Sequence, residues 1–131
     1  MLILALSGVL FAIALPRLAV ILDAIEVRTA ASHIAAAHQR ARMMAVTKGQ
    51  VLVLSVQQDT VTIHRRGEDP LLWSESGPAA EGVTLDGAPR QFTFSPEGLT
   101  FGLSNATLRL SRNSATRAVV VSRLGRVRIT R

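Results

Sequence analysis

The first fifteen residues, MLILALSGVLFAIAL, carry no charge and one hydroxyl, Ser7, and they run into Pro16-Arg17. A helix that is apolar on every side has no polar face to turn toward water, so it needs lipid or other apolar helices around it. Three arrangements compete for this run. A secretory signal would have a basic start, a short apolar stretch and a small-x-small exit; Ala12-Ile13-Ala14 supplies the exit, but the basic start is missing. A membrane span needs about 20 apolar residues, and the run reaches that length through Leu18-Ala19-Val20-Ile21-Leu22 if Pro16 and Arg17 are tolerated inside it. Membrane helices tolerate a proline more readily than soluble ones, at the cost of a kink. The third arrangement, a helix in the domain's own core, fails because the run lacks a single apolar stripe.

The residues after Pro16 favour the span, because the helical pattern does not stop there. From Ile25 to Lys48 there is no Gly or Pro, and Val27, Ala30, Ala31, Ile34, Ala37, His38, Ala41, Met44 and Ala45 recur at the three-and-four spacing of one helix face. Arg28, Ser32, Gln39 and Met43 fall on the other side. The pattern predicts one helix of about 45 residues that starts in an apolar medium and ends packed through a narrow, small-residue stripe. Gly49 is a suitable stop.

Beyond Gly49 the period changes to two. Short strands are predicted at 51–56, 60–65, 83–85, 91–95, 99–103, 106–111, 117–122 and 126–130, separated by Gly, Pro and Asn turns. The stretch 67–82 has the poorest pattern and reads as a surface loop attached through Leu72 and Trp73. The predicted fold class is α+β, a long N-terminal helix packed on one or two small antiparallel sheets. Residues 1–22 are expected to form the membrane-inserted half of the helix, and residues 23–131 a globular domain with its helix half at 23–48 and its sheets at 50–130.

Charge adds one asymmetry. The formal net charge is +6, yet residues 1–108 hold eight Lys/Arg against nine Asp/Glu. The excess lies in Arg109, Arg112, Arg117, Arg123, Arg126, Arg128 and Arg131, with no acid among them. Such an end suits a polyanion or an acidic partner, or it is simply a solvated strand face. In an extended strand Arg126 and Arg128 project to one side, about 7 Å apart, while Val127 and Ile129 point to the core. Two parallel guanidinium groups suit neighbouring phosphates. Gly125 permits a tight turn before them, and Arg109, Arg117 and Arg123 extend the patch if their strands are neighbours.

Little in the chain suggests catalysis. There is no Cys, which removes disulfides, thiolate zinc sites and thiol catalysis. His33 and His38 are five apart, about 140° around a helix, and cannot share a metal. His38 lies on the apolar stripe as a packing residue, His64 ends a strand, and Glu68-Asp69 is a lone acidic pair in a loop. Phosphate loops, nucleophile elbows and zinc spacings are absent, so no cofactor, metal, catalytic residue or small-molecule substrate is expected. Aromatic residues are four Phe and one Trp, too few for stacking single-stranded bases.

The order of these pieces resembles the minor pseudopilins and type IV minor pilins of the GspH/FimT family. ALPRL at 14–18 looks like the segment after the apolar half of a pilin helix. AASHIAAAHQRARMMAVTKGQVLVLSV at 30–56 is similar to the family's passage from helix to first strand. QFTFSPEGLT at 91–100 resembles its Phe-x-Pro-x-Gly hairpin, and LGRVRI at 124–129 its closing Gly-Arg-x-Arg strand. The resemblance implies a single-pass inner-membrane protein with its C-terminal domain in the periplasm, assembled into a pseudopilus or pilus. Its implied partners are other major and minor pseudopilins or pilins, met through the N-terminal helix, and the helix would bend or loosen at Pro16 where it leaves the bilayer. The family's processing signal, a glycine before the cleaved bond and a glutamate beyond it, is expected about half a dozen residues upstream of Met1. The implied function is assembly of a type II secretion pseudopilus, with the arginines meeting acidic neighbours. The FimT-like members imply an alternative, DNA capture during transformation, which carried over residue by residue falls on Gly125, Arg126 and Arg128.

Overall fold

The computed structural model describes residues 1–67, 71–102 and 105–131. Its first element is one helix, α1 (Leu2–Lys48), of 47 residues and so about 70 Å long. Pro16 lies inside it without ending it, although the missing amide leaves the Ala12 carbonyl without its usual donor. The helix stops at Gly49, whose φ of 61° is left-handed. Gly49 donates to the Val46 carbonyl and Gln50 to the Ala45 carbonyl, closing the last turn.

The two halves of α1 have different surroundings. Apart from half-exposed Ser7, every residue from Met1 to Leu22 is exposed, the large apolar ones included, and burial begins at Asp23. From there Val27, Ala30, Ala31, Ile34, Ala37, His38, Ala41 and Ala45 form a buried stripe, with Met44 partly buried beside it. Arg28, Ser32, Gln39 and Met43 are exposed on the other side. This is the stripe that the three-and-four spacing anticipates. Alanine supplies most of it because small side chains let strands approach the helix backbone, while the sheets supply the bulk of the core.

Nine strands follow: β1 (Leu52–Val56), β2 (Thr60–Arg65), β3 (Leu71–Ser76), β4 (Thr84–Asp86), β5 (Arg90–Phe94), β6 (Thr100–Phe101), β7 (Ala106–Arg112), β8 (Ala115–Val121) and β9 (Val127–Thr130). They make two antiparallel sheets, one in the order β3-β2-β1-β5-β6 and one in the order β4-β7-β8-β9. The helix touches β1, β2 and β5 of the first and β7, β8 and β9 of the second. Leu52, Leu54, Phe92 and Phe94 from the first sheet and Leu108, Leu110, Val119 and Val121 from the second join the helix stripe in one buried cluster. Side chains at alternating positions on each strand explain this selection.

Eight of the strands fall where period two predicts, within a residue or two at their ends, except that β6 is only Thr100–Phe101; Leu103, assigned to that strand from the sequence, lies outside the described residues. The expected loop at 67–82 is corrected, because from residue 71 onward it holds β3 and a 3-10 turn at Pro78–Glu81. β3 is an edge strand whose alternation is weak: only Leu72 and Trp73 are half-buried, and its pairing with β2 shifts register between Ile63 and His64. Its order comes from main-chain bonds to β2 more than from burial. Leu72 and Trp73 do attach it to the core, and the Arg40 guanidinium carbon sits 5.1 Å from the centre of the Trp73 ring.

Because Ala41 is fully buried against the sheets, Ala41→Leu should lower the domain's unfolding free energy by about 1–3 kcal/mol through overpacking. Gln39→Leu, on the exposed side, should not. Urea unfolding of the detergent-solubilised chain reads both.

Candidate functional site

The strand register sorts the C-terminal arginines onto different faces. On β7, Leu108 and Leu110 are buried, so Arg109 between them lies on the outer face of the second sheet. Arg109 stands opposite Ala118 and Leu110 opposite Arg117, which puts Arg117 on the helix-facing side. Arg128 stands opposite Val120, hence on the outer face with Arg109. Val127 and Ile129 oppose Val121 and Val119 and take the inner face as expected. Ile129 is nonetheless 41% exposed, because β9 is the free edge of its sheet. The outer face is a shallow concavity of about 490 Å³, lined by Arg109, Thr116, Ala118 and Thr130 among others and edged by Arg117 and Arg131, with Asp86 directly opposite Arg109.

The β8–β9 connection is a tight turn built on Ser122. Ser122 accepts from the Gly125 amide (2.9 Å) and donates to the Arg126 carbonyl (2.9 Å), while its Oγ accepts from the Arg126 amide (3.1 Å). Gly125 is left-handed at φ 76°. A Cβ there would lie 3.4 Å from Thr100 Cγ2, and Thr100 Oγ1 donates to the Arg123 carbonyl (3.1 Å). The residues resembling the hairpin region and those resembling the closing strand, far apart in sequence, therefore meet at one end of the domain. Arg123 sits at this turn; Arg126 and Arg128 are exposed beyond it, and among the described residues neither side chain is held by a hydrogen bond or ion pair. Of the predicted set, Arg109, Arg126 and Arg128 share the outer side, whereas Arg117 registers to the helix-facing side and also lines the edge of the concavity.

The sequence pattern missed a second cluster at the opposite end. Asp23, 8% exposed, accepts from Arg112 Nε on Oδ1 (2.9 Å) and from Asn113 Nδ2 on Oδ2 (2.8 Å). Arg112 also donates through Nη1 to the Glu81 carbonyl. Nearby, His33 Nδ1 lies 3.3 Å from Glu81 and 3.9 Å from Glu75. This group ties α1, at the first buried residue, to the β7–β8 turn and the 3-10 turn. A signal was available: Asp23 precedes Val27 by four residues, which puts a carboxylate on the buried stripe, where it needs partners.

His38 is the other buried polar side chain on the stripe, 1% exposed. Its ring meets Phe94 (centroids 4.9 Å apart) and Phe92 (5.5 Å) edge to face, and neither nitrogen has a hydrogen-bond partner. Burial, with the nearby Arg42 charge, pulls its pKa down to about 4. It is a packing residue, as its position on the stripe suggests, and wholly enclosed. His64 is half-buried on β2. Glu68-Asp69 lies outside the described residues. No group of three or more His, Cys, Asp or Glu among the described residues is placed to hold a metal ion.

A family model described as type II transport protein GspH matches residues 30–125. No curated protein matches the chain significantly. Among solved structures, the type IV minor pilin FimU of Pseudomonas aeruginosa PAO1 is similar in two crystal forms. In one, with TM-score 0.68, the match covers 81% of this chain and 89% of that one at 21% identity. In the other, with TM-score 0.62, it covers 79% and 92% at 18% identity. The shared fold is the pilin arrangement of a long N-terminal helix on antiparallel sheets.

Two outcomes check the buried groups. Asp23→Asn leaves Arg112 without its counter-charge and should cost about 1–3 kcal/mol in urea unfolding. Much of that cost should disappear in the double variant with Arg112→Gln, a coupling read by the four-member cycle. His38 binds a proton more readily unfolded than folded, so stability is full above about pH 6.5 and falls as the pH drops toward about 4. The loss is about 3 kcal/mol, and His38→Leu should flatten that pH dependence.

Proposed function

The chain belongs to the type II transport protein GspH family of minor pseudopilins and minor pilins, and from that premise we propose that it is a subunit of a type II secretion pseudopilus. Members of this family assemble with other pilins or pseudopilins into filaments, a structural role rather than a catalytic one. The observation that carries the filament-subunit part of the reading is the division of α1 into an exposed, largely apolar half and an embedded half within one unbroken helix. Fully burying a Leu, Ile, Val or Phe side chain is worth about 1.5–3 kcal/mol, so residues 1–22 in water would carry a heavy penalty. A bilayer removes it before assembly, and the packed helices of neighbouring subunits remove it afterwards. On this reading residues 23–131 stand in the periplasm and present the surface that recognises a neighbouring minor subunit or secreted protein, and Pro16 loosens the helix near the bilayer boundary.

A second reading, DNA capture by a type IV minor pilin, has its own support in the exposed, unpaired guanidinium groups of Arg126 and Arg128 beside Gly125. Phe101, 50% exposed and next to Thr100 at that turn, is a single ring, so such binding would be mainly phosphate electrostatics, and log K would fall by about 0.9 per phosphate contact for each tenfold rise in salt.

The secretion reading expects the full chain to resist alkaline extraction from membranes and to co-purify with the other minor subunits; absence from those assemblies would overturn it. A chain without residues 1–22 should be soluble and folded, and its aggregation would place the apolar run in the domain's own core. If the full chain in detergent binds duplex DNA, and Arg126→Ala with Arg128→Ala reduces the salt slope by about 2, the uptake reading prevails.

A further inference from the structure

We propose that the membrane-proximal end of the second sheet holds the phosphate of an anionic phospholipid between Arg117 and Arg131, with Arg17 reaching the same headgroup layer from below. This rests on the reading of residues 1–22 as a membrane segment. Three observations carry it. Continuing the β8–β9 register past Ala118–Thr130 sets Arg117 opposite Arg131, two like charges in a cross-strand position that is unfavourable without an anion. Among the described residues no ion pair engages either side chain; Asp86 lines the neighbouring outer concavity with them but is not bonded to either, and the buried carboxylate Asp23 is satisfied by Arg112 and Asn113.

Both arginines line a small concavity of about 270 Å³ whose other wall is the helix at Ala24 and Val27, with Ser114 and Thr116 also lining it. Two guanidinium forks and two hydroxyls are donors of the kind a phosphate takes. The third observation is height. Ala24 stands two residues beyond Leu22, the last residue of the exposed apolar run, so the concavity opens about 3 Å above it along the axis. A headgroup layer is about 5–8 Å deep, which places the two arginines within it.

Arg17 is seven residues before Ala24, two helical turns and about 10 Å lower on nearly the same face. To leave the hydrocarbon on this side its exposed side chain extends up that face toward the headgroups, against the N-terminal lean of helical side chains. A free phosphate offers the same oxygens, but only a lipid holds them at this height. The bound lipid would fix the domain's rotation over the bilayer before a filament takes the subunit up.

The test uses the full chain in nanodiscs of phosphatidylcholine alone or with phosphatidylglycerol, read by amide hydrogen exchange. Exchange at the exposed turn Asn113-Ser114 should slow at least about fivefold with phosphatidylglycerol, the effect of one arginine at an anionic surface. The slowing should vanish in the Arg117→Gln, Arg131→Gln double variant, shrink in Arg17→Gln, and persist in Arg126→Gln, Arg128→Gln, which removes equal charge at the far end. Equal exchange in both lipids overturns the proposal. So does an effect insensitive to Arg117 and Arg131, or equal slowing by inorganic phosphate in phosphatidylcholine discs. Protection of residues 2–22 in every disc reports the membrane segment separately, so its loss sinks the underlying reading, whereas its presence without slowing at the turn sinks only the headgroup site.

Discussion

The structure depends on the burial of one narrow alanine-rich stripe, on half of one helix, by two sheets that otherwise have little to hold them together. Ala30, Ala31, Ala37, Ala41 and Ala45 are at most 2% exposed. None gives up side-chain entropy on packing, and none fills much volume. Phe92, Phe94, Leu52, Leu54, Leu108 and Leu110 fill it from the sheets, so the helix acts as a flat bed and the strands bring the mass. Among the described residues, polar side chains also tie one sheet's side of the domain to the other's. Gln58, after β1, accepts from the Leu85 amide and donates to the Val83 carbonyl (both 2.7 Å), and Thr100 reaches the Arg123 carbonyl at the other end.

A half-embedded rod is a lever, and its point of emergence carries the torque of anything that pulls on the free half. Asp23 sits at that point. Its two carboxylate oxygens are held by adjacent side chains at the start of one hairpin turn, Arg112 and Asn113, which fixes how far the helix can rotate or slide against the second sheet. A largely buried ion pair is a weak source of net stability, but its geometry is demanding in a way that alanine packing is not. The stripe sets which face of the helix is buried; the carboxylate sets its register.

Much of this was legible in the sequence, for identifiable reasons. The helix, its stop at Gly49, its buried face and eight strands all follow from periodicity, because one solvent boundary imposes each period. What stayed hidden depended on contacts between distant residues. β3 has little alternation because it is an edge strand ordered by main-chain bonds. The Asp23 cluster joins residues about ninety apart in the chain, and only the oddity of a carboxylate on an apolar stripe hinted at it. The arginine patch was half legible: the alternation of Arg126 and Arg128 is local, whereas the face taken by Arg117 follows from its pairing with Leu110.

That last point changes what the net charge means. Seven arginines without an acid look like one basic surface when read along the chain, but the antiparallel β8–β9 fold sends them to separate places. Arg123 and Arg126 sit at the turn remote from the apolar half of α1, Arg117 and Arg131 lie beside Ala24, and Arg112 is occupied by Asp23. The screening length is about 8 Å at physiological ionic strength. β8 spans seven residues, about 20 Å, so the two ends are electrostatically independent. A partner at the outer turn and an anion beside Ala24 need not compete, and the charge of either end can change without altering the other.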